Sequence, residues 1–299
     1  MYTPVLLQVA LLASAAPPIG IEPEVASALE MSFEASPRLA AKARLLAETD
    51  PRPLVLMARR LGLESPGPAI RVQLVDESSP AAAATEPWIH GWAYGSLATV
   101  VLLAEREPGY PDGSLEELLR HEVAHVLIYR AAAGHDVPRW FNEGVALELS
   151  RPWGLEDRSR LSLALLLNER IPITALDRKF AGGRGEVQRA YALSGALVRE
   201  IVRAFGPGVL AEILEGRALG VEFERAFFRA TGVEVSGFEA GFWRRYSLWY
   251  RWLPLVTSSL ALWLVIVLLA LWAGAVRRRR RAALEAAWSE DTESDPPIN

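Results

Sequence analysis

Leu115-Glu-Glu-Leu-Leu-Arg-His121-Glu122-Val-Ala-His125-Val-Leu-Ile-Tyr-Arg130 is the stretch from which the rest of the chain is read. Leu115, Leu118, Leu119, Val123, Val126 and Leu127 recur at helical spacing. Asp112-Gly-Ser114 precedes them, with Ser114 a plausible N-cap and Glu117 three residues on, the capping-box pattern that marks where a helix begins. Residues four apart project from one helix face, so the imidazoles of His121 and His125 can converge on one ion. Glu122 points about 100° around the helix from His121. There its carboxylate reaches a metal-bound water without ligating the ion, the position of a general base.

Two ligands do not hold a catalytic metal, so a third is expected where a turn and a second helix bring it back. Pro138-Arg-Trp-Phe-Asn-Glu143-Gly-Val-Ala meets that need: Gly134 can end the first helix, Pro138 helps to set up the next, and Glu143 completes a His₂Glu set with one position open. An extended motif with a third histidine on the same segment would need glycine at Ile128 and histidine at Ala131, and neither is present. His135 and Asp136 are the rival ligands, placed in the short connection just past the first helix, from which folding back onto the histidine pair is harder. Imidazole and carboxylate in a tetrahedral set favour Zn2+, with Mn, Fe and Co as the other ions such donors accept.

The chain has 299 residues, 51% of them hydrophobic, and a net charge of −4, enough for one sizeable core and a smaller appendage and with no basic face that would suit nucleic acid. It has no cysteine, which excludes a disulfide framework, a thiolate metal site and a cysteine nucleophile. It has four histidines, His90, His121, His125 and His135, so a pair at ligand spacing is informative.

HEVAH followed by WFNEGVA resembles the gluzincin metallopeptidases, and most of all the peptidase-MA-type domains of bacterial envelope proteins, over roughly residues 88–243. The resemblance implies a zincin-like fold, zinc bound by His121, His125 and Glu143, and Glu122 as general base. It departs from the family in two respects. No histidine follows His135, so the distal histidine of thermolysin-like members has no counterpart, and the Gly-Ala-Met-Glu-Asn run with which the aminopeptidases hold a substrate amino terminus is absent. An endopeptidase is therefore the closer match. For the oxyanion donor that peptide hydrolysis needs, Tyr191 is the leading candidate, similar in kind to the tyrosine of aminopeptidase-like members. A helix tyrosine packed in the core is the equal alternative. His90, among aromatic residues, reads more as a structural histidine than as part of a cleft. The run Leu97 to Ala104 reads as a strand, either an ordinary core strand or an edge to which an extended peptide could pair.

Strands are expected first, at Ala69–Val75 and Leu97–Ala104, and helices after them, at 114–132, 141–149, 159–168, 187–205 and 209–215, an α+β arrangement. Ahead of these, 24–48 and 54–61 read as helices in an N-terminal segment (17–66) that leads through Ser65-Pro-Gly-Pro68 into the peptidase-like domain (67–245). Residues 1–16 resemble a secretory signal. Residues 254–276, uncharged and rich in Leu, Val and Trp, read as a single transmembrane helix flanked by Trp249, Tyr250 and Trp252 and by Arg277–Arg281. On that reading the main domain is extracytoplasmic and the tail 277–299 cytoplasmic. The whole then reads as a membrane-anchored zinc metallopeptidase acting on a polypeptide, with a zinc-stabilised binding or assembly module that does not hydrolyse as the alternative.

Overall fold

The computed structural model describes residues 5–9, 29–166, 170–256, 263–264 and 266–280. Alternation at Met31-Ser-Phe-Glu-Ala35 buries Met31 and Phe33 and makes the segment strand β2, not the continuation of a helix expected over 24–48. Val5–Val9 forms β1, antiparallel to β2; the rest of the expected signal segment lies outside the described residues. After β2 come helices α1 (Ala40–Ala47) and α2 (Arg52–Arg60), then β3 (Ile70–Leu74) parallel to β2, with Met31 opposite Ile70.

A four-residue helix, α3 (Pro80–Ala83), leads to β4 (Gly91–Tyr94), a 3₁₀ turn and β5 (Thr99–Leu102). β5 lies between β3, to which it is parallel, and β4, to which it is antiparallel, in the sheet order β1-β2-β3-β5-β4. Every residue of β5 is buried, as its β-branched run requires. It is thus an interior strand, and the edge is β4, four residues that the sequence reading did not identify as a strand.

Helices follow. α4 (Leu115–Ala131) lies against β4 and β5, and α5 (Arg139–Ser150) packs on α4. Next are α6 (Leu155–Leu166), α7 (Ile173–Lys179), α8 (Arg184–Phe205), α9 (Val209–Ala218), α10 (Phe223–Thr231) and α11 (Val235–Val256). α5 and α8 approach closely because Gly144 has no side chain: a Cβ there would lie 2.5 Å from the Ser194 carbonyl oxygen and from Val198 Cγ2. The Ser65–Pro68 segment is tied to α4 by Arg130, whose guanidinium donates to the carbonyls of Pro66 and Pro68.

The arrangement is mixed α and β, a small sheet followed by many helices, and Met1–Trp243 forms one compact unit with Arg244–Asn299 as a second. The expected transmembrane helix over 254–276 is not found: among the described residues no helix is long and apolar enough to cross a membrane. Residues 257–262 and 265 lie outside the description, α11 carries Arg244, Arg245 and Arg251, and the helical residues from 266 meet arginine at Arg277. The apolar part of that last stretch is about 16 Å long at 1.5 Å per residue, near half of a hydrocarbon core of about 30 Å.

Candidate metal site and cleft

The N-terminus of α4 is held by a variant of the capping box in which the return bond reaches the residue before the cap. Ser114 Oγ accepts from the Glu117 amide at 3.1 Å, and the Glu117 carboxylate accepts from the Gly113 amide at 2.9 Å. The helix stops where Ala133 and Gly134 take positive φ, 48° and 83°, and the Gly134 amide closes on the Tyr129 carbonyl at 2.9 Å. Pro138 then starts α5 without a cap of its own. Asp177 of α7 supplies one, accepting from the amides of Arg139 at 3.0 Å and Trp140 at 2.7 Å. That cap closes the start of the helix that carries Glu143 one turn further on.

His121, His125 and Glu143 converge and form the one group of three or more His, Asp or Glu among the described residues that could hold a metal ion. The two Nε2 atoms are 3.2 Å apart, and Glu143 Oε2 lies 3.5 Å from each. His125 Nδ1 lies 2.7 Å from Asn142 Oδ1, an oxygen that can only accept, so the proton is on Nδ1 and Nε2 keeps its lone pair. Two ring nitrogens and a carboxylate oxygen facing one point attract a cation. The donor set fits a divalent ion, and Glu143 Oε2, buried without a hydrogen-bond partner, has the chemistry of a ligand oxygen.

Glu122 is 5% exposed, with Gly91 of β4 leaving room for it: a Cβ on Gly91 would stand 3.3 Å from Glu122 Cγ. Burial pushes the Glu122 carboxyl up to about 8, and the charges of Glu143 and Asp112 act the same way against the opposing pull of His125. Burial would raise Glu143 too, but the two imidazoles outweigh it and hold that carboxyl far below the usual carboxylate range. One carboxylate is thus kept as an anion while its neighbour's affinity for a proton is raised to near neutral pH.

Tyr191, on α8, stands edge-to-face to His121 with centroids 6.2 Å apart and to Phe180 at 5.2 Å. Burial, and then the carboxylates of Glu143, Glu122 and Asp112, keep its hydroxyl protonated well above the ordinary tyrosine range. All five sequence-predicted residues, with Tyr191 and Glu122 beside the three donors, line one cleft of about 690 Å³, whose walls include Trp88, Trp92, Arg139, Phe180 and Val187. His135 and Asp136 stay out of the donor cluster. His90 lines a smaller space of about 60 Å³ behind the site, where burial, with Arg106 and Arg184, lowers its pKa.

Three features of the site were not read from the sequence: Asn142 behind His125, the β4 edge, and Asp112. The first had a signal, standing directly before Glu143. Asp112 is 5% exposed and its Oδ1 lies 3.9 Å from His121 Nδ1.

A family model described as the Peptidase MA superfamily matches residues 80–248, more than half of the chain, from α3 into α11. No curated protein matches the chain.

Proposed function

The chain belongs to the peptidase MA superfamily, and from that premise we propose that it is a zinc-dependent endopeptidase of the gluzincin type that cleaves an extended polypeptide. The observation that carries this reading is the triangle of donor atoms. Zinc bonds of about 2.0–2.2 Å in a tetrahedral set put ligand atoms about 3.3–3.5 Å apart, against the edges of 3.2, 3.5 and 3.5 Å measured here.

His121, His125 and Glu143 would hold the ion. When bound it supplies Lewis-acid polarisation of the scissile carbonyl and a lowered pKa for water. Glu122 takes the proton from the attacking water and returns it to the leaving amine, a role suited to a buried carboxyl whose proton affinity lies near neutral pH. Tyr191 donates from its protonated hydroxyl to the developing oxyanion. Asn142 keeps His125 in the tautomer that presents Nε2. β4, the sheet edge in the cleft wall, offers unpaired main-chain groups to a substrate strand, and Gly91 lets that strand lie close to Glu122.

The test is Glu122→Gln, with bound zinc measured by elemental analysis and cleavage of a broad peptide library followed by mass spectrometry. The variant should keep one zinc per chain and lose at least about a hundredfold in turnover, the lower end of what general acid–base catalysis contributes. Equal turnover in the two proteins would exclude Glu122 as the base. Zinc binding with no cleavage by the wild type would instead favour the non-hydrolysing holding module.

A further inference from the structure

The two imidazoles are backed differently. His125 has its outer nitrogen satisfied by Asn142, the residue next to Glu143, at 2.7 Å. The outer nitrogen of His121 is buried without a hydrogen-bond partner, and so is Asp112 Oδ1, which faces it at 3.9 Å. Buried polar atoms are nearly always paired. Here two complementary orphans face each other about one ångström beyond hydrogen-bond length.

Asp112 is not placed there by chance of a mobile loop. Its amide donates to the Gly109 carbonyl at 3.1 Å, and the next residue, Gly113, is held by the Glu117 carboxylate. The cap that starts α4 therefore also fixes Asp112 relative to the face of α4 that carries His121. Burial raises the Asp112 carboxyl above its ordinary value, and the charges of His121 and Arg151 act against it.

We propose that Asp112 is a positioning residue for the metal site, the oxygen acceptor that holds the Nδ1 proton of His121 and so presents Nε2 to the ion. The inference rests on the metal-binding reading of His121, His125 and Glu143, and it concerns affinity for the ion, not turnover. Outer partners of this kind orient a ligand imidazole and raise its basicity, and their loss costs about 10–100-fold in metal affinity.

The experiment uses the full chain and zinc alone, titrated in competition with a chromophoric chelator at fixed pH. Asp112→Leu, close in size and without an acceptor, should weaken zinc binding about 10–100-fold; Asp112→Asn, which retains an oxygen acceptor, should recover most of that loss. Where Asp112→Leu does not fold by circular dichroism, Asp112→Ala takes its place. A second readout is the Nδ1 proton of His121 in the zinc-loaded, ¹⁵N-histidine-labelled protein. It should be slow to exchange in the wild type and lost in Asp112→Leu, while the corresponding proton of His125 persists. A merely structural aspartate would not move one imidazole proton and leave the other. Wild-type zinc affinity and an unchanged His121 proton in Asp112→Leu would overturn the proposal while leaving the metal site standing. Failure of the wild type to bind zinc would overturn both.

Discussion

α5 separates two cavities of nearly equal size. The cleft at the donor cluster holds about 690 Å³, and a groove at the N-terminal end of α5, lined by residues of α7, α10 and α11, holds about 720 Å³. Volume does not tell them apart; the state of their polar groups does. In the groove Asp177 accepts from two α5 amides and Glu239 accepts from the Ile173 amide and from Trp243 Nε1. In the cleft Glu143 Oε2 and Trp92 Nε1 are buried with no hydrogen-bond partner. Asp177 and Glu239 in the groove complete helix ends, whereas Glu143 Oε2 in the cleft faces two ring nitrogens at 3.5 Å. Unpaired buried atoms also lie elsewhere, Ser150 Oγ and Ser194 Oγ among them, so what marks the cleft is the convergence of His121, His125 and Glu143.

The largest test of that contrast exchanges one carboxylate in each cavity. Glu143→Ala removes a proposed direct ligand, so its loss in zinc affinity should exceed the about 10–100-fold expected for an outer partner. Asp177→Ala should leave zinc affinity within about threefold, since the lost cap is a matter of helix stability. Chelator competition on the two variants decides it, and equal losses would mean that the cleft owes its polarity to the fold and not to an ion.

The next test is the pH dependence of the metal-free chain. Glu122 is raised by burial from 4.5 to about 8. Burial alone would lower His121 and His125, but Asp112 and Glu143 outweigh it at His121, and Glu143 with Glu122 at His125, so both imidazoles lie above 6.5. All three groups hold a proton more tightly folded than unfolded. Their stabilisation is complete below 4.5 for Glu122 and below 6.5 for the imidazoles, and it is lost as pH rises through the folded values. Glu143, with its depressed pKa, contributes steadily above 4.5 and drops out only in strong acid. Chelated protein should therefore lose on the order of a few kcal/mol between pH 5.5 and 8.5. Zinc-saturated protein should gain over the same interval, because neutral imidazole is the ligand. Denaturant titrations with and without zinc give the two slopes, and parallel curves would break the assignment of the cleft as a cation site.

What could be read beforehand follows the range of the interactions involved. α4, its cap and the histidine pair depend on contacts within four residues, and Gly134 and Pro138 mark the turn that returns Glu143, so that part was legible. β4 was not, because Gly91-Trp-Ala-Tyr94 is four residues long and acquires its identity from pairing with β5. Met31–Ala35 was hidden in an Ala-, Glu- and Leu-rich stretch whose composition favours helix, and β3 overrides that propensity by pairing with it. Asp112 was visible only as part of a cap, since its approach to His121 is tertiary. The stretch 254–276 shows the opposite error: a continuous apolar composition was read as a continuous span, whereas the described helical residues there do not make one long enough.

A smaller effect separates stability from function in the groove itself. Asp177→Ala leaves the first amides of α5 without an acceptor and removes an anion from a helix N-terminus, a loss of about 0.5–2 kcal/mol. Urea denaturation at saturating zinc reads this directly. No change would mean that solvent replaces the cap at no cost and that Glu143 is held in place by α4 and α8 alone.

The smallest expected effect lies on the groove wall. Phe228 is 49% exposed and lines the groove from α10. If the groove is only a surface depression, Phe228→Ser should change stability by no more than about 0.5 kcal/mol, the range of surface substitutions away from special features. Zinc affinity and peptide cleavage should be unaltered. A variant of normal stability and normal zinc content that cleaves short peptides as before but loses activity on long polypeptides would give the groove a part in substrate capture. The two cavities would then differ in step, one gripping and one cutting, and satisfied polar groups would no longer suffice to mark a cavity as idle.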